Sequence, residues 1–446
     1  MKVIKVVQKI VATVFSACVA LTTVAAEYSL QPDVSVVARH EDNFRLSPNQ
    51  EESLFGSHVI PTIKAQAKEQ NWDASLNAKL DIARFNRDDL NNDDQEYGVN
   101  AQRTGELYSL GFSAQLVKDT TRTSEELNSG IFDTIDDHEL YSSKVYGSYL
   151  LSETNVLSLS VSGSKSKYDA PTRTGYEHYY YGSAGWSHSY NEKLRFNVRA
   201  NYSEVKYDPV VKDVSFQQYI LFFGSYYPFG EADTITQQRQ VTTTAEGYQV
   251  GVDYQLLEQL SFSILVGSRD TTTEYDVKGG ETECAKVSVE SLYFPTTNNF
   301  CNEQPDQNSS VQDWEVTSTW RGERNTLSAK YSNSLNPGGS EGYALESEQI
   351  NLDWGYRLSE VSNLSLVLIY GKNTAIDAPE DIDETKTNRK FGNAELSYTH
   401  RVSRNWLGRV AGVYRYQEKE FWDEAAESSS ILFSVIYQPN KIVWSR

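Results

Sequence analysis

The sequence predicts an all-β protein: a single transmembrane, antiparallel, up-and-down β-barrel of about 18 strands, within a range of 16–20. Three observations predict it. Apolar and polar side chains alternate in segment after segment. The segments run about 10–14 residues, longer than the usual ~5–6 of soluble strands and matched to a tilted membrane crossing. The connections between them are short and long in turn, as in barrels with tight periplasmic turns and extended outer loops.

The alternation is plain in Trp72–Phe85. Trp72, Ala74, Leu76, Ala78, Leu80 and Ile82 fall on one face, and Asp73, Ser75, Asn77, Lys79 and Asp81 on the other. Leu194, Phe196, Val198, Ala200 and Tyr202 oppose Arg195, Asn197, Arg199 and Asn201 in the same way. Ile350, Leu352, Trp354, Tyr356 and Leu358 repeat the pattern, as do Ile431, Phe433, Val435 and Tyr437. Strand cores are expected at 33–45, 57–68, 72–85, 94–103, 107–118, 140–151, 156–168, 178–190, 194–207, 246–256, 260–274, 311–321, 326–334, 344–358, 364–373, 390–403, 406–418 and 428–438.

Short turns are expected at 69–71, 104–106, 153–155, 191–193, 258–259, 322–324, 360–362 and 404–405. Longer, acidic loops are expected at 86–93, 119–139, 208–245, 276–310, 376–388 and 421–427. An even strand number returns both termini to the periplasm. The stretch 208–245, with its run SFQQYILFFGSYYPFG, reads either as an extra hairpin or as a folded outer loop. The loop is preferred, because pairing 194–207 with 246–256 preserves the turn alternation. Aromatic residues gather at segment ends (Trp72, Tyr190, Tyr254, Trp314, Trp320, Trp354, Tyr356, Trp406, Tyr437), where an interfacial girdle belongs.

Composition agrees with a barrel and removes other classes. The 446 residues are 39% hydrophobic, 23% charged and 12% aromatic, and mean hydropathy is -0.54. No segment after residue 26 approaches the ~20 apolar residues of a membrane helix. Only half of each barrel strand faces lipid, so a polar mean is compatible with a membrane span whose backbone is fully paired. A formal net charge of -20 provides no positive field for phosphate, which argues against nucleic-acid binding.

Residues 1–26 read as a secretory signal peptide. Lys2, Lys5 and Lys9 precede an apolar run, and Val24-Ala25-Ala26 offers small residues for cleavage near Ala26. The domain division is therefore 1–26 signal and 27–446 barrel, with bacterial outer-membrane localisation. Two cysteines remain beyond the leader, Cys284 and Cys301. In an oxidising compartment such a pair reads as one disulfide across a predicted outer loop.

Two stretches resemble a known family. Ala38-Arg39-His40-Glu41-Asp42-Asn43-Phe44 is similar to the first-strand motif of the β-barrel porin 2 family. Ser403-Arg404-Asn405-Trp406, Gly412-Val413-Tyr414-Arg415-Tyr416, Ile431–Tyr437 and Ser445-Arg446 are similar to its closing strands. The resemblance is one of layout over 27–446, with departures at His40-Glu41, at the long 208–245 and 276–310 segments and at the terminal Arg446. It implies an outer-membrane barrel associated with exopolysaccharide biosynthesis and export.

No catalytic, cofactor or metal motif is evident. The histidines His40, His58, His138, His178, His188 and His400 form no HExxH pair, and there is no GxSxG elbow. The acidic loops do not match a calcium-binding loop. The expectation is a non-enzyme without cofactor or metal. Chemistry is instead expected on the inward face, at Lys64, Lys79, Asp81, Arg195, Arg199, Asp253, Glu315, Lys330, Asp353, Arg357, Glu395, Arg401, Arg409 and Arg415. A wet lumen tolerates such charges, whereas a mid-plane Arg or Lys on the lipid face costs about 2–4 kcal/mol.

The functional expectation is a pore or accessory barrel of polysaccharide export, with passive passage through a polar lumen. Its partners would be outer-membrane lipid and lipopolysaccharide, with polysaccharide and periplasmic export components. A general diffusion porin is the alternative, favoured by a loop folded into the barrel, with 208–245 or 276–310 as candidates. A barrel enzyme would be favoured by Ser, His and an acid or amide converging at the outer rim, and a structural or adhesive barrel by a plugged lumen.

Overall fold

The computed structural model describes residues 26–49, 52–125, 136–169, 174–222, 225–278, 306–336, 344–376 and 388–445. Residues 1–25, with the leader, and Cys284 and Cys301 lie outside the described residues.

The strands are β1 (Glu27–Glu41), β2 (Leu54–Lys68), β3 (Trp72–Phe85), β4 (Asn92–Thr104), β5 (Tyr108–Thr120), β6 (Asp137–Ser152), β7 (Asn155–Tyr168), β8 (Tyr176–Ser189), β9 (Leu194–Tyr207) and β10 (Val210–Phe222). They continue as β11 (Ser225–Leu257), β12 (Leu260–Lys278), β13 (Gln307–Arg321), β14 (Asn325–Asn336), β15 (Leu345–Arg357), β16 (Ser362–Ala375), β17 (Arg389–Arg401), β18 (Trp406–Lys419), β19 (Ala426–Tyr437) and β20 (Ile442–Ser445). A short helix α1 (Thr121–Glu125) follows β5, and a 3-10 turn (Asp88–Leu90) follows β3.

These twenty strands make eighteen staves. β10 prolongs the line of β9. The single long β11 pairs with β10 through Ser225–Arg239 and with β9 through Thr242–Tyr254. Likewise β19 and then β20 run along one edge of β1, from Glu41↔Ser430 down to Glu27↔Ser445. That contact closes the cylinder, with every neighbouring pair antiparallel. Closure leaves no sheet edge within the cylinder, which is what hydrocarbon demands of a strand-built span.

The expected pairing of 194–207 with 246–256 is present, from Lys206↔Thr242 to Leu194↔Tyr254. The expectation of a folded loop over 208–245 is corrected. The chain stays extended and forms an arm that continues β9 and β11 beyond the barrel, adding no staves. The first strand also differs from expectation: it starts at Glu27 instead of 33 and stops at Glu41 instead of 45. A composition scan passes over Gln31-Pro32-Asp33 as polar and proline-bearing. Register with β2 holds them in strand, down to Glu27↔Lys68.

Connections alternate as the sequence implied. The short ones, at residues 69–71, 105–107, 153–154, 190–193, 258–259, 322–324, 358–361 and 402–405, share one end with Glu27 and Ser445. Exposed apolar side chains mark the outer wall: Val34 and Val36 of β1, Leu157, Leu159 and Val161 of β7, and Ile431, Phe433 and Val435 of β19. Aromatics bracket that wall, as with Tyr141 and Tyr149 on β6 or Trp406 and Tyr414 on β18. Eight residues at ~3.3 Å rise, tilted about 40°, separate the two girdles by roughly 20 Å, close to the ~25 Å apolar band of such barrels.

Candidate functional site

Because side chains alternate and register partners share a face, one inward residue fixes all the others. Leu54 of β2 is buried opposite the buried Glu41, and the ladder propagates this parity around the ring. It places all fourteen expected lumen residues on the inward face, from Lys64 and Lys79 to Arg409 and Arg415.

Several of them are committed to neighbours. Lys330 meets Glu315 at 3.6 Å, Arg409 pairs with Glu395, and Asp81 meets His58 Nδ1 at 2.9 Å. Asp253 accepts a hydrogen bond from Ser263 Oγ at 2.7 Å. Arg195 donates to Ser189 Oγ at 3.3 Å, and Arg199 to Gln249 Oε1 at 3.5 Å. Among the described residues, Lys64, Lys79, Arg195, Arg199, Arg357 and Arg401 take no part in an ion pair. The arginines do not form one patch. Arg195 and Arg199 on β9 lie seven staves from Arg401 on β17.

The densest chemistry sits at the outer mouth, around a residue outside the expected fourteen. Glu41, its side chain 2% exposed, receives Arg122 Nη2 and Arg415 Nη1 at 2.5 Å each. Arg39 Nη2 approaches at 3.1 Å, and Ser428 Oγ donates at 3.3 Å. Arg39 comes from β1 itself and Arg415 from two staves away. Arg122 comes from α1, four staves away, so the start of the β5–β6 connection turns inward over the mouth to reach β1.

The first outer loop meets it. Arg122 Nη1 donates to the Phe44 carbonyl at 2.6 Å, with the guanidinium carbon 3.6 Å above the Phe44 ring. Phe44 is buried with Leu54 and Leu90 against Phe85, and Leu46 is buried with Ala426 against Trp422. Gly56 permits this packing, since a Cβ there would stand 2.4 Å from the Phe85 ring. Asn43 Nδ2 donates to the carbonyls of Ser47 and Glu427 at 2.9 Å each, and Asp42 Oδ1 accepts from the Ser429 amide at 2.7 Å. Leu46 takes a left-handed turn at φ 48°. The 38–44 stretch quoted above thus builds the clasp between β1, β18, β19 and α1.

Outside the lumen's charged groups, loops one and two are laced together. Arg87 binds Glu52 and, at 2.5 Å, Asp89, while Arg45 Nε reaches Glu52 at 3.3 Å. The Arg87 guanidinium holds both carboxyls below their ordinary range.

Two inward groupings escaped the sequence reading. Arg269 and Asp313 form a buried pair at 2.7 Å on β12 and β13. His138, Asp119 and Ser166 converge at the outer rim: His138 Nδ1 lies 2.7 Å from Asp119 Oδ1, and Nε2 lies 3.0 Å from Ser166 Oγ. Parity would have flagged each residue as inward. Pairing needs register, which no single strand encodes.

The arc from β3 to β8 is different again, rich in amides and hydroxyls around Glu96 and Lys144. Asn77, Asn100, Ser113, Gln115, Ser142 and Ser164 line a recess of about 520 Å³ on β3–β8. Among the described residues, no group of three His, Cys, Asp or Glu is placed to hold a metal ion.

A closed eighteen-stave cylinder, apolar outside and polar within, defines an outer-membrane β-barrel of porin-like form. No family model matches the chain, and no curated protein matches it either. Solved barrels do. Pseudomonas aeruginosa OpdL is 10% identical, with 94% of this chain covering 99% of that one at a TM-score of 0.40. OprD from Pseudomonas aeruginosa is 8% identical, with coverage of 93% and 94% and a TM-score of 0.38. The copper transporter OprC is 8% identical, with coverage of 92% and 80% and a TM-score of 0.44.

Proposed function

We propose that the protein is a diffusion porin, passing small polar solutes through a lumen narrowed at its outer mouth. The observation that supports this reading most is the inward-turned α1 at the start of the β5–β6 connection, anchored by Arg122 to Glu41 and Phe44. The expected constriction loop was 208–245 or 276–310. The first is the extended arm, and most of the second lies outside the described residues. A mouth held by buried ion pairs suits small solutes better than a growing polymer. That mouth favours a porin over the polysaccharide-export reading that the family resemblance implied.

Planar-bilayer recording of the folded barrel tests the proposal. Steady conductance is expected, rising when Arg122→Ala unlatches α1 from β1. A non-conducting barrel, or one indifferent to Arg122, would end it. Export through a leader ending near Ala26 and a Cys284–Cys301 disulfide belong to the same reading. Mass mapping of the mature N-terminus and of non-reduced peptides checks both.

A further inference from the structure

The porin reading leaves one inward cluster unused. Asp119 on β5 and His138 on β6 are register partners, and Ser166 on β7 lies beside them, one step diagonally. The contacts are ordered. The carboxylate meets Nδ1 at 2.7 Å and the hydroxyl meets Nε2 at 3.0 Å. That is the arrangement in which an acid orients imidazole and imidazole takes a serine proton. The other ring-nitrogen contacts differ: His58 and His178 each meet one carboxylate without a hydroxyl on the second nitrogen, His188 meets the Asn155 amide oxygen, and His400 meets the Ser362 hydroxyl without an acid behind it.

Burial strengthens the argument. The side chains of His138 and Asp119 are each 6% exposed, and Ser166 is 2% exposed. Tyr168 lies against the imidazole at 4.6 Å between centroids, fixing the ring plane. A low-dielectric setting makes the ordered contacts stronger than they would be in water. The β7–β8 register shifts between Ser164 and Ser166, and such bulges re-aim a side chain. The 520 Å³ recess begins at Ser164, on the same inward face two residues away, and is lined by amides and hydroxyls such as Asn100, Gln115 and Ser142, with Glu96 and Lys144 among them. Such a lining offers many hydrogen-bond donors and acceptors to hydroxyl groups.

We propose that Ser166, His138 and Asp119 form a serine-esterase site on the lumen wall, acting on short acyl esters of hydroxyl-rich alcohols such as sugars. Ser166 Oγ attacks the acyl carbon while its proton passes to His138 Nε2. The ester C–O bond breaks, and the departing alcohol takes that proton. Water, deprotonated by His138, then attacks the acyl-serine, releasing the carboxylic acid and restoring the hydroxyl. Asp119 stabilises the imidazolium in both halves.

The test uses the full folded barrel in detergent micelles with methanesulfonyl fluoride, a probe small enough for a recessed serine. Mass mapping is expected to find the sulfonyl group on Ser166 and on no other serine at comparable rate. His138→Gln and Asp119→Asn should slow labelling by about 10²–10⁴-fold, while heat-modifiable migration shows that both variants remain folded. Hydrolysis of acetylated glucose should vanish in Ser166→Ala. An unlabelled Ser166 in the folded wild type overturns the proposal, as does labelling at an unchanged rate in His138→Gln. Either result would make the three residues a lumen hydrogen-bond ladder. Channel conductance is measured on the same variants and is expected to stay at the wild-type value, so failure of the esterase leaves the porin reading separately judged.

Discussion

The two ends of the lumen handle charge in opposite ways. At the outer mouth, Arg39, Arg122 and Arg415 surround the buried Glu41, and loops from distant staves close over them. At the short-turn end, Arg195, Arg357 and Arg401 sit near the rim of β9, β15 and β17 with no ion pair among the described residues. The first arrangement spends its charge on structure, whereas the second leaves charge facing water. Counting inward arginines therefore says little about solute preference until each one's neighbour is known.

The largest expected effect comes from breaking the mouth. Glu41→Gln removes a carboxylate that three guanidiniums share. Deleting one partner of a buried ionic network costs about 3–5 kcal/mol, because the remaining charges stay desolvated. Urea unfolding in micelles should show a loss of that order, with open-state noise rising in bilayers. Arg122→Ala should cost less, since Arg39 and Arg415 still serve Glu41, but should raise conductance more cleanly. Equal destabilisation by an exposed charge swap such as Arg195→Gln would collapse the contrast between the two ends.

The second expected effect concerns the open end. Arg195, Arg357 and Arg401 changed together to Gln should shift the reversal potential toward cations with little change in stability. The shift should shrink as salt rises, because the Debye length falls from ~8 Å at physiological strength to ~3 Å at 1 M. Arg409 and Arg415 are poorer targets, being engaged by Glu395 and Glu41. If the Arg409→Gln change shifts selectivity as much as the triple variant, ion pairing does not distinguish the lumen charges.

The barrel was legible because its determinants are local. Trp72–Phe85 carries its own period of two, and the turn at 190–193 its own polar break. The Glu41 hub was legible only as a motif. Its meaning depends on Arg122 lying 81 positions away and Arg415 lying 374 away, brought together by closure and by an inward loop. The Ser166 cluster was hidden for the same reason. Its members lie 19 and 28 residues from His138, at a spacing set by hairpin lengths. The 208–245 arm misled because pairing 194–207 with 246–256 already satisfied the turn alternation, while cross-strand pairing beyond the membrane asks for no lipid-facing pattern.

The smallest effect should appear at the rim outside the buried hub, where Arg87 ties Glu52 of the first loop to Asp89 of the second. Hydrogen bonding to Arg87 lowers both carboxyls below the ordinary values of 4.5 and 3.8. A carboxylate depressed in the folded state stabilises it above its unfolded pKa, and that contribution is lost as pH falls through the folded value. The clasp should therefore be unchanged from neutrality down to about pH 5 and loosen below about pH 4. These groups are solvent-exposed, so the loss should be local and should leave the barrel closed. Hydrogen exchange at Phe44, whose amide donates to the Glu52 carbonyl at 2.9 Å, reads it directly. After correction for intrinsic rates, exchange there should accelerate below pH 4 in the wild type, while Arg87→Gln should show the faster rate at every pH. The Ser429 amide, held by Asp42 in the hub, should lag behind it. Simultaneous release of both amides would mean that rim and hub open as one unit, and that the mouth has a single lock.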